Sequence, residues 1–305
     1  MSYDVIGLGF CAHDHIGIIP RMPSFEDSVK MVKSSEQGGG PAATAIVTAS
    51  KLGAKAGFLA KVADDQSGQF IINDFNKYNV NTSSMVIQPG KISHKIVVLV
   101  EKDTGKRSFI SNDASVSLIS PDEIDLKLIR NARFLHIDAT NKTTLFAAKE
   151  ASKSGTRVVL DIDSPNKYFE EVVSYVDILI PSRMFYLDMF NEKITPLAAA
   201  RELLHYGPNE VIITLGKKGT ACANQNDSFY VDAFSVEPVI DTTGCGDVFH
   251  GGYIYGKRQR WNMKKSAQFA SAVAALKCRA IGGRKGIPTL EENLEFLKRK
   301  LPDEW

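Results

Sequence analysis

The stretch Asp241-Thr242-Thr243-Gly244-Cys245-Gly246-Asp247-Val248-Phe249-His250-Gly251-Gly252-Tyr253 sets a glycine-rich turn directly before a helical pattern. At such a junction several backbone N–H groups converge on the positive end of a helix, which makes an anion site. Asp247 falls in the first turn of that helix, beside whatever anion binds. A carboxylate does little to hold a phosphate, yet it can take the proton of a hydroxyl that attacks one. The pattern therefore points to phosphoryl transfer onto an alcohol. The plainer alternative is that Asp247 only complements the helix dipole.

A second cluster, Gln37-Gly38-Gly39-Gly40-Pro41-Ala42-Ala43-Thr44-Ala45, also opens a helical pattern. Glycine lets a ligand approach the backbone, and proline suits a first helical turn. A tight connection with no ligand explains the same residues equally well. The GxxxxGK[ST] pattern is absent, so a nucleotide would have to be held in another way. His13, His15, His94, His136 and His250 form no HxxxH or HExxH pair, which argues against zinc. Phe185, Tyr186 and Phe190 recur at helical intervals and read as core.

The elements that must position these residues are short β-branched runs alternating with helical patterns, the signature of a parallel sheet covered on both faces. Val5–Leu8 predicts the first strand. Ala42–Leu52 predicts a helix stopped at Gly53, and Ala56–Ala60 the next strand. Phe134–Ile137, Val158–Ile162, Ile178–Ile180 and Val211–Leu215 continue the series. Two segments break it: Ile16–Ile19 with Val29–Val32, and His94–Glu101 turning through Asp103-Thr104-Gly105 into Arg107–Ser111. Both have the look of antiparallel strands, placed together as a small lid or left as edge hairpins.

Composition bounds the partners. Of 305 residues 44% are hydrophobic and 24% charged, an ordinary globular balance. Lys plus Arg is 37 against 35 for Asp plus Glu, so the net charge of +2 gives no broad field for nucleic acid or an anionic membrane. The four cysteines, Cys11, Cys222, Cys245 and Cys278, show no CxxC spacing and predict free thiols in a reducing cytoplasm. The N-terminal MSYDVIGLGF does not read as a signal peptide, and no apolar run is long enough to span a membrane.

Together the two glycine stretches resemble the signature regions of the ribokinase-like (PfkB) family of carbohydrate kinases, the DTTGCGD stretch being highly specific. The resemblance continues through Asp14 after the first strand, the two lid segments, the loop Thr214-Leu215-Gly216-Lys217-Lys218-Gly219 and the tail Gly282-Gly283-Arg284-Lys285-Gly286-Ile287-Pro288. It implies one three-layer α/β/α domain over 1–305, with a largely parallel central sheet and a β-sheet lid formed by 15–36 and 90–114. The implied activity is ATP- and Mg²⁺-dependent phosphorylation of a small sugar: a ketose such as fructose or a 6-substituted fructose, or ribose. By the same resemblance Asp247 is the catalytic base, and the amides of Gly244, Cys245 and Gly246 hold the transferring phosphoryl group. Asp14 would bind substrate hydroxyls, where a turn or cap role is the alternative. Gly39 and Gly40 would border the sugar, and Thr214, Gly216, Gly219 and Thr242 would lie along the nucleotide. A monovalent cation, K⁺, is implied near Asp241, Thr243 and the loop 280–283.

The chain departs from the family pattern in three places, one of them a turn of several residues. Ala43 stands where an asparagine commonly contacts the sugar, Ser182 and Phe185 stand at the places of an Asn-x-x-Glu turn, and Cys245 replaces an alanine. A thiol at a helix N-terminus is open to oxidation, against the plainer role of filling a small space. The wording GGGPAATA, DTTGCGDVFHGG and GGRKGIP, with Ala274–Cys278, looks most like the branch with kinases of 6-deoxy-6-sulfofructose. The places expected to hold a sulfonate carry Ser28 and Thr140, so Lys30, Lys33, Arg107 or Lys142 would have to substitute. A nucleoside kinase on the same scaffold and a non-catalytic sugar or nucleotide sensor are the rival readings. Unpaired lid edges tend to find partners, which makes a homodimer through the lid the expected assembly.

Overall fold

Runs that are apolar on both faces form strands that can be covered from two sides. The computed structural model describes residues 2–305. Its strands in chain order are β1 (Tyr3–Leu8), β2 (Ala12–Ile19), β3 (Lys33–Gly39), β4 (Ala56–Leu59), β5 (Lys61–Ala63), β6 (Val86–Gln88) and β7 (Lys95–Glu101). There follow β8 (Arg107–Ser111), β9 (Ala132–Ile137), β10 (Arg157–Ile162), β11 (Ile178–Pro181), β12 (Glu210–Thr214), β13 (Thr220–Asn224) and β14 (Ser228–Val231). The central sheet has eight strands in the order β14-β13-β12-β11-β10-β9-β1-β4. Pairing is parallel from β4 to β12, and β13 and β14 extend it antiparallel.

Successive side chains on each strand enter opposite cores. Val5, Phe134, Val159 and Ile212 pack with residues of the helices Pro41–Lys51, Cys245–Arg258 and Met263–Lys277. Ile6, Leu135, Val158 and Ile213 pack on the other side with residues of Lys142–Ser154 and Pro196–Leu203. Phe185 and Tyr186 lie in this second core with Phe190 packed against it, as their spacing implies. Among the described residues no helix is long and apolar enough to cross a membrane.

The lid is a four-stranded sheet, β3-β2-β7-β8, whose Ile16, Ile18, Val98 and Val100 pack with Ile281 of the tail. It differs from the sequence expectation in one of its strands. Val29–Val32 lies outside any strand, and the partner of β2 is the polar run Lys33–Gly39, with Asp14 opposite Gln37 and Ile16 opposite Ser35. Strand propensity pointed to the β-branched residues, but tertiary context selects the run that carries polar groups and glycine toward the main body. Within each segment the pairing is antiparallel as expected, β2 with β3 and β7 with β8, and the two pairs join side by side through the parallel contact of β2 with β7. The chain between them passes through the main body, a connection long enough for a parallel crossover.

Candidate active site

Open parallel sheets place ligands at the carboxyl ends of their strands, and that is where the acidic residues gather. Asp138 follows β9, Asp161 and Asp163 sit at the end of β10, Asp247 lies in the first turn of Cys245–Arg258, and Asp14 comes from lid strand β2. They are close enough to feel one another: Asp247 contributes to the proton affinity of Asp14, Asp138 and Asp161, and Asp163 to that of Asp247.

The turn before Asp247 is built as the sequence suggests, with one change. Gly244 is the N-cap at φ 74°, in the left-handed region that glycine enters freely. The Cys245 amide bonds the Thr242 carbonyl at 3.3 Å, so it is not free for an anion. The amides of Gly246 and Asp247 belong to the first helical turn, where N–H groups lack an intrahelical acceptor. The amides left open to an anion are thus those of Gly246 and Asp247, one residue closer to Asp247 than expected. Loss of solvation, then the charge of Asp163, pushes the Asp247 carboxyl up to about 6, while Lys277 and Arg107 pull it down. The helix end alone would favour a low value, and loss of solvation, helped by the charge of Asp163, outweighs it. Arg107 of lid strand β8 donates to Thr242 Oγ1 at 3.0 Å, bringing a lid cation to the same turn.

Asp14 is pushed up to about 7 by loss of solvation, with Arg284 opposing and Asp247 and Asp74 adding to the rise. It lies against the backbone of Gly39, where a Cβ would come within 2.2 Å of Asp14 Oδ2, so only glycine leaves room for the carboxylate. Asp14 and Gly39 are therefore brought together as expected, and Gly40 follows at the start of the helix Pro41–Lys51. Thr214 ends β12, Gly216 opens the short 3₁₀ turn Gly216–Lys218, and Gly219 leads into β13. At Gly219 a Cβ would meet the Val231 carbonyl at 2.0 Å, so hairpin packing alone accounts for that glycine.

Sequence reading missed Asp138, Arg284 and Lys277. Asp138 accepts from the amides of Phe10 at 3.1 Å and Ala42 at 3.0 Å, and loss of solvation pushes it up to about 6. Its position just past an apolar strand was the one signal available. Arg284 is 1% exposed, pairs with Asp74, and donates to the Gly39 carbonyl at 3.2 Å. Lys277 is fully buried and donates to the carbonyls of Asp241, at 3.0 Å, and Thr243.

Other positions resolve into structural roles. Ala43 is fully buried inside its helix. Ser182 caps the helix Arg183–Phe190 by accepting from Met184 at 3.1 Å and Phe185 at 3.3 Å. Thr140 donates to Asn166 at 2.9 Å. The histidines, unpaired in sequence, cluster in space: His136, Asp161 and His250 form one group and His13, His15 and Glu36 another. Each is tied internally, His250 to Asp161 at 3.3 Å and His13 to Glu36 at 3.3 Å. A cavity of about 90 Å³ beside Asp138 is lined by Phe10, Lys61, His94, Asn141 and Thr143 among others. A larger recess of about 520 Å³, among Arg133, Arg157, Lys257 and Arg260, involves none of these acidic residues.

Comparison with known proteins identifies the fold and the family. The family model described as pfkB family carbohydrate kinase matches residues 5–290. A 5-dehydro-2-deoxygluconokinase of Clostridium botulinum is 30% identical over 286 residues, covering 86% of this chain and 84% of its own. The ribokinase of Haemophilus influenzae is 25% identical over 300 residues, covering 95% and 97%. The solved structure of a putative ribokinase II from E. coli, in complex with ATP and Mg²⁺, superposes with a TM-score of 0.84 at 23% identity, covering 97% and 99%. The chain belongs to the pfkB family of carbohydrate kinases.

Proposed function

We propose that this sugar kinase transfers the γ-phosphoryl group of ATP to a hydroxyl of a ketose or ribose, within a single domain spanning 1–305 whose lid segments, 15–36 and 90–114, close over the sugar. The observation that carries the reading is Asp247 in the first turn of a helix whose Gly246 and Asp247 amides lack carbonyl partners. Those amides, with Arg107, would receive phosphoryl oxygens. Thr214, Gly216, Gly219 and Thr242 would border the nucleotide. Mg²⁺, present with ATP in the E. coli neighbour, supplies charge neutralisation on the phosphates. Asp14 orients the substrate hydroxyls, and Asp247 accepts the proton as the new O–P bond forms. Asp138, Lys61, His94 and Asn141 around the small cavity would contact the rest of the sugar. The free thiols accord with a cytoplasmic enzyme.

ADP release measured against a panel of ketoses, aldoses, dehydro-deoxy sugar acids and nucleosides tests this reading. A ketose or ribose is expected to give turnover, and Asp14→Ala to weaken its binding by about 1.5–3 kcal/mol, the worth of a hydrogen bond to a charged group. Turnover with nucleosides only, or with nothing in the panel, overturns it. Pairing of two copies rests on the exposed edge strand β8 with Phe109 and Ile110, and sedimentation as a monomer would refute it.

The K⁺ implied near Asp241 and Thr243 does not fit the groups present. Both Asp241 carboxylate oxygens accept from amides, of Thr243 at 2.8 Å and Gly282 at 2.7 Å. The carbonyls of Asp241 and Thr243 accept from the Lys277 ammonium, so that of the oxygens of these two residues Thr243 Oγ1 alone is without a partner. We read Lys277 as the fixed charge that steadies this turn. Turnover is expected to be the same in K⁺, Na⁺ and tetramethylammonium salts, and Lys277→Ala to lose activity that added K⁺ restores. Stimulation of the unmodified enzyme by K⁺ would refute this assignment.

A further inference from the structure

Two of the four cysteines meet at the phosphate-binding turn although 33 positions separate them in the chain. Cys245 is the first residue of the helix Cys245–Arg258, and Cys278 is the C-cap of the helix Met263–Lys277. Their sulfurs lie 2.9 Å apart, each partly open to solvent, while Cys11 and Cys222 are buried. A disulfide needs about 2.05 Å between sulfurs, so less than an ångström of closure separates the thiol pair from the bond. The small space-filling role expected of Cys245 is therefore only half of what the site can do.

We propose that Cys245 and Cys278 are a redox modification site, closing to a disulfide that switches the kinase off. The bond would fasten the first helical residue, between Gly244 and Gly246, to the end of the neighbouring helix. The adjacent amides of Gly246 and Asp247 then lose the freedom to settle on a phosphoryl group, and a turn displaced by a fraction of an ångström no longer matches the transferring oxygens. Peroxide is a sufficient oxidant. One cysteine thiolate attacks a peroxide oxygen, the O–O bond breaks, and hydroxide leaves and takes a proton, giving a sulfenic acid and water. The second thiol attacks that sulfur, the S–O bond breaks, and a second water leaves as the S–S bond forms. Two thiols and one hydrogen peroxide thus become one disulfide and two waters. A dithiol reverses it by exchange.

The switching part rests on the kinase reading, whereas the bond itself does not. The full chain is treated with hydrogen peroxide, remaining thiols are alkylated, and the tryptic peptides are mapped by mass spectrometry. The expected result is a Cys245–Cys278 cross-linked peptide with Cys11 and Cys222 alkylated after unfolding, phosphorylation falling in proportion to the linked fraction, and full recovery in dithiothreitol. Cys278→Ser, or Cys278→Ala if the serine variant melts early, keeps its starting activity and resists reversible inactivation. Absence of the linked peptide overturns the site. A linked peptide with unchanged turnover overturns the switch and leaves the kinase reading intact, and reversible inactivation that persists in the Cys278 variants also overturns the switch.

Discussion

Asp247→Asn is expected to lower kcat by roughly 10²–10⁴-fold, the range for loss of a general acid–base group, with both substrates still bound. The substitution keeps size and hydrogen bonding at the first turn of Cys245–Arg258 and removes only the basic oxygen, so a dipole-complementing role predicts a far smaller loss. The carboxyl stands near 6 because of lost solvation and Asp163, with Asp14 near 7 and Asp138 near 6 beside it. These groups titrate together, so kcat/KM of the unmodified enzyme should rise with pH along an acid limb spanning about 6 to 7. The Asn variant should keep only the part of that limb owed to Asp14. The same shifts act oppositely on the ligand-free fold. Carboxyls raised above their usual 3.8 add stability that is complete below that value and is lost as pH rises through the folded values of about 6 and 7. Calorimetric binding and steady-state kinetics on the folded variant decide the matter, and near-normal turnover would remove Asp247 as proton acceptor.

What the sequence disclosed and what it hid divide by distance along the chain. Asp247 and its glycines form one contiguous turn-to-helix motif, and the central strands are apolar on both faces, so both could be recognised locally. Strand β3 could not, because Lys33–Gly39 carries no strand propensity and is a strand only by pairing with β2. Asp138 is joined to the Ala42 amide across 96 positions, and Gln37 to the Ile281 carbonyl across 244. No window of sequence contains either contact. Lys277 and Arg284 were hidden for a further reason: long basic side chains are usually solvated, and only the fold shows that these two are buried. The histidine clusters are the same case, since His136 and His250 meet across two elements while their spacing matches no metal motif.

Arg284→Met should cost about 3–5 kcal/mol of folding stability, the penalty for removing one member of a buried ion pair. The guanidinium joins three parts of the molecule. It pairs with Asp74 of the helix Gln66–Lys77, donates to the Gly39 carbonyl of the lid strand, and lies in the tail, whose backbone amide donates to Gln37 at 2.9 Å. Methionine fills similar length but strands the Asp74 carboxylate, and β3 loses a tie to the tail. The double variant Arg284→Met with Asp74→Leu removes both charges and should recover much of the loss, because a buried pair replaced by apolar residues is often close to neutral. Urea unfolding of the ligand-free single and double variants reads this directly. The site should feel it too. Arg284 is the group that holds Asp14 down against its lost solvation, so without it the Asp14 carboxyl rises above about 7. Sugar binding that needs the ionised carboxylate then shifts to higher pH in both variants, including the one whose stability returns. A single variant that unfolds like the parent, or a binding profile unmoved along the pH axis, would show that Arg284 neither clamps the lid to the tail nor tunes Asp14.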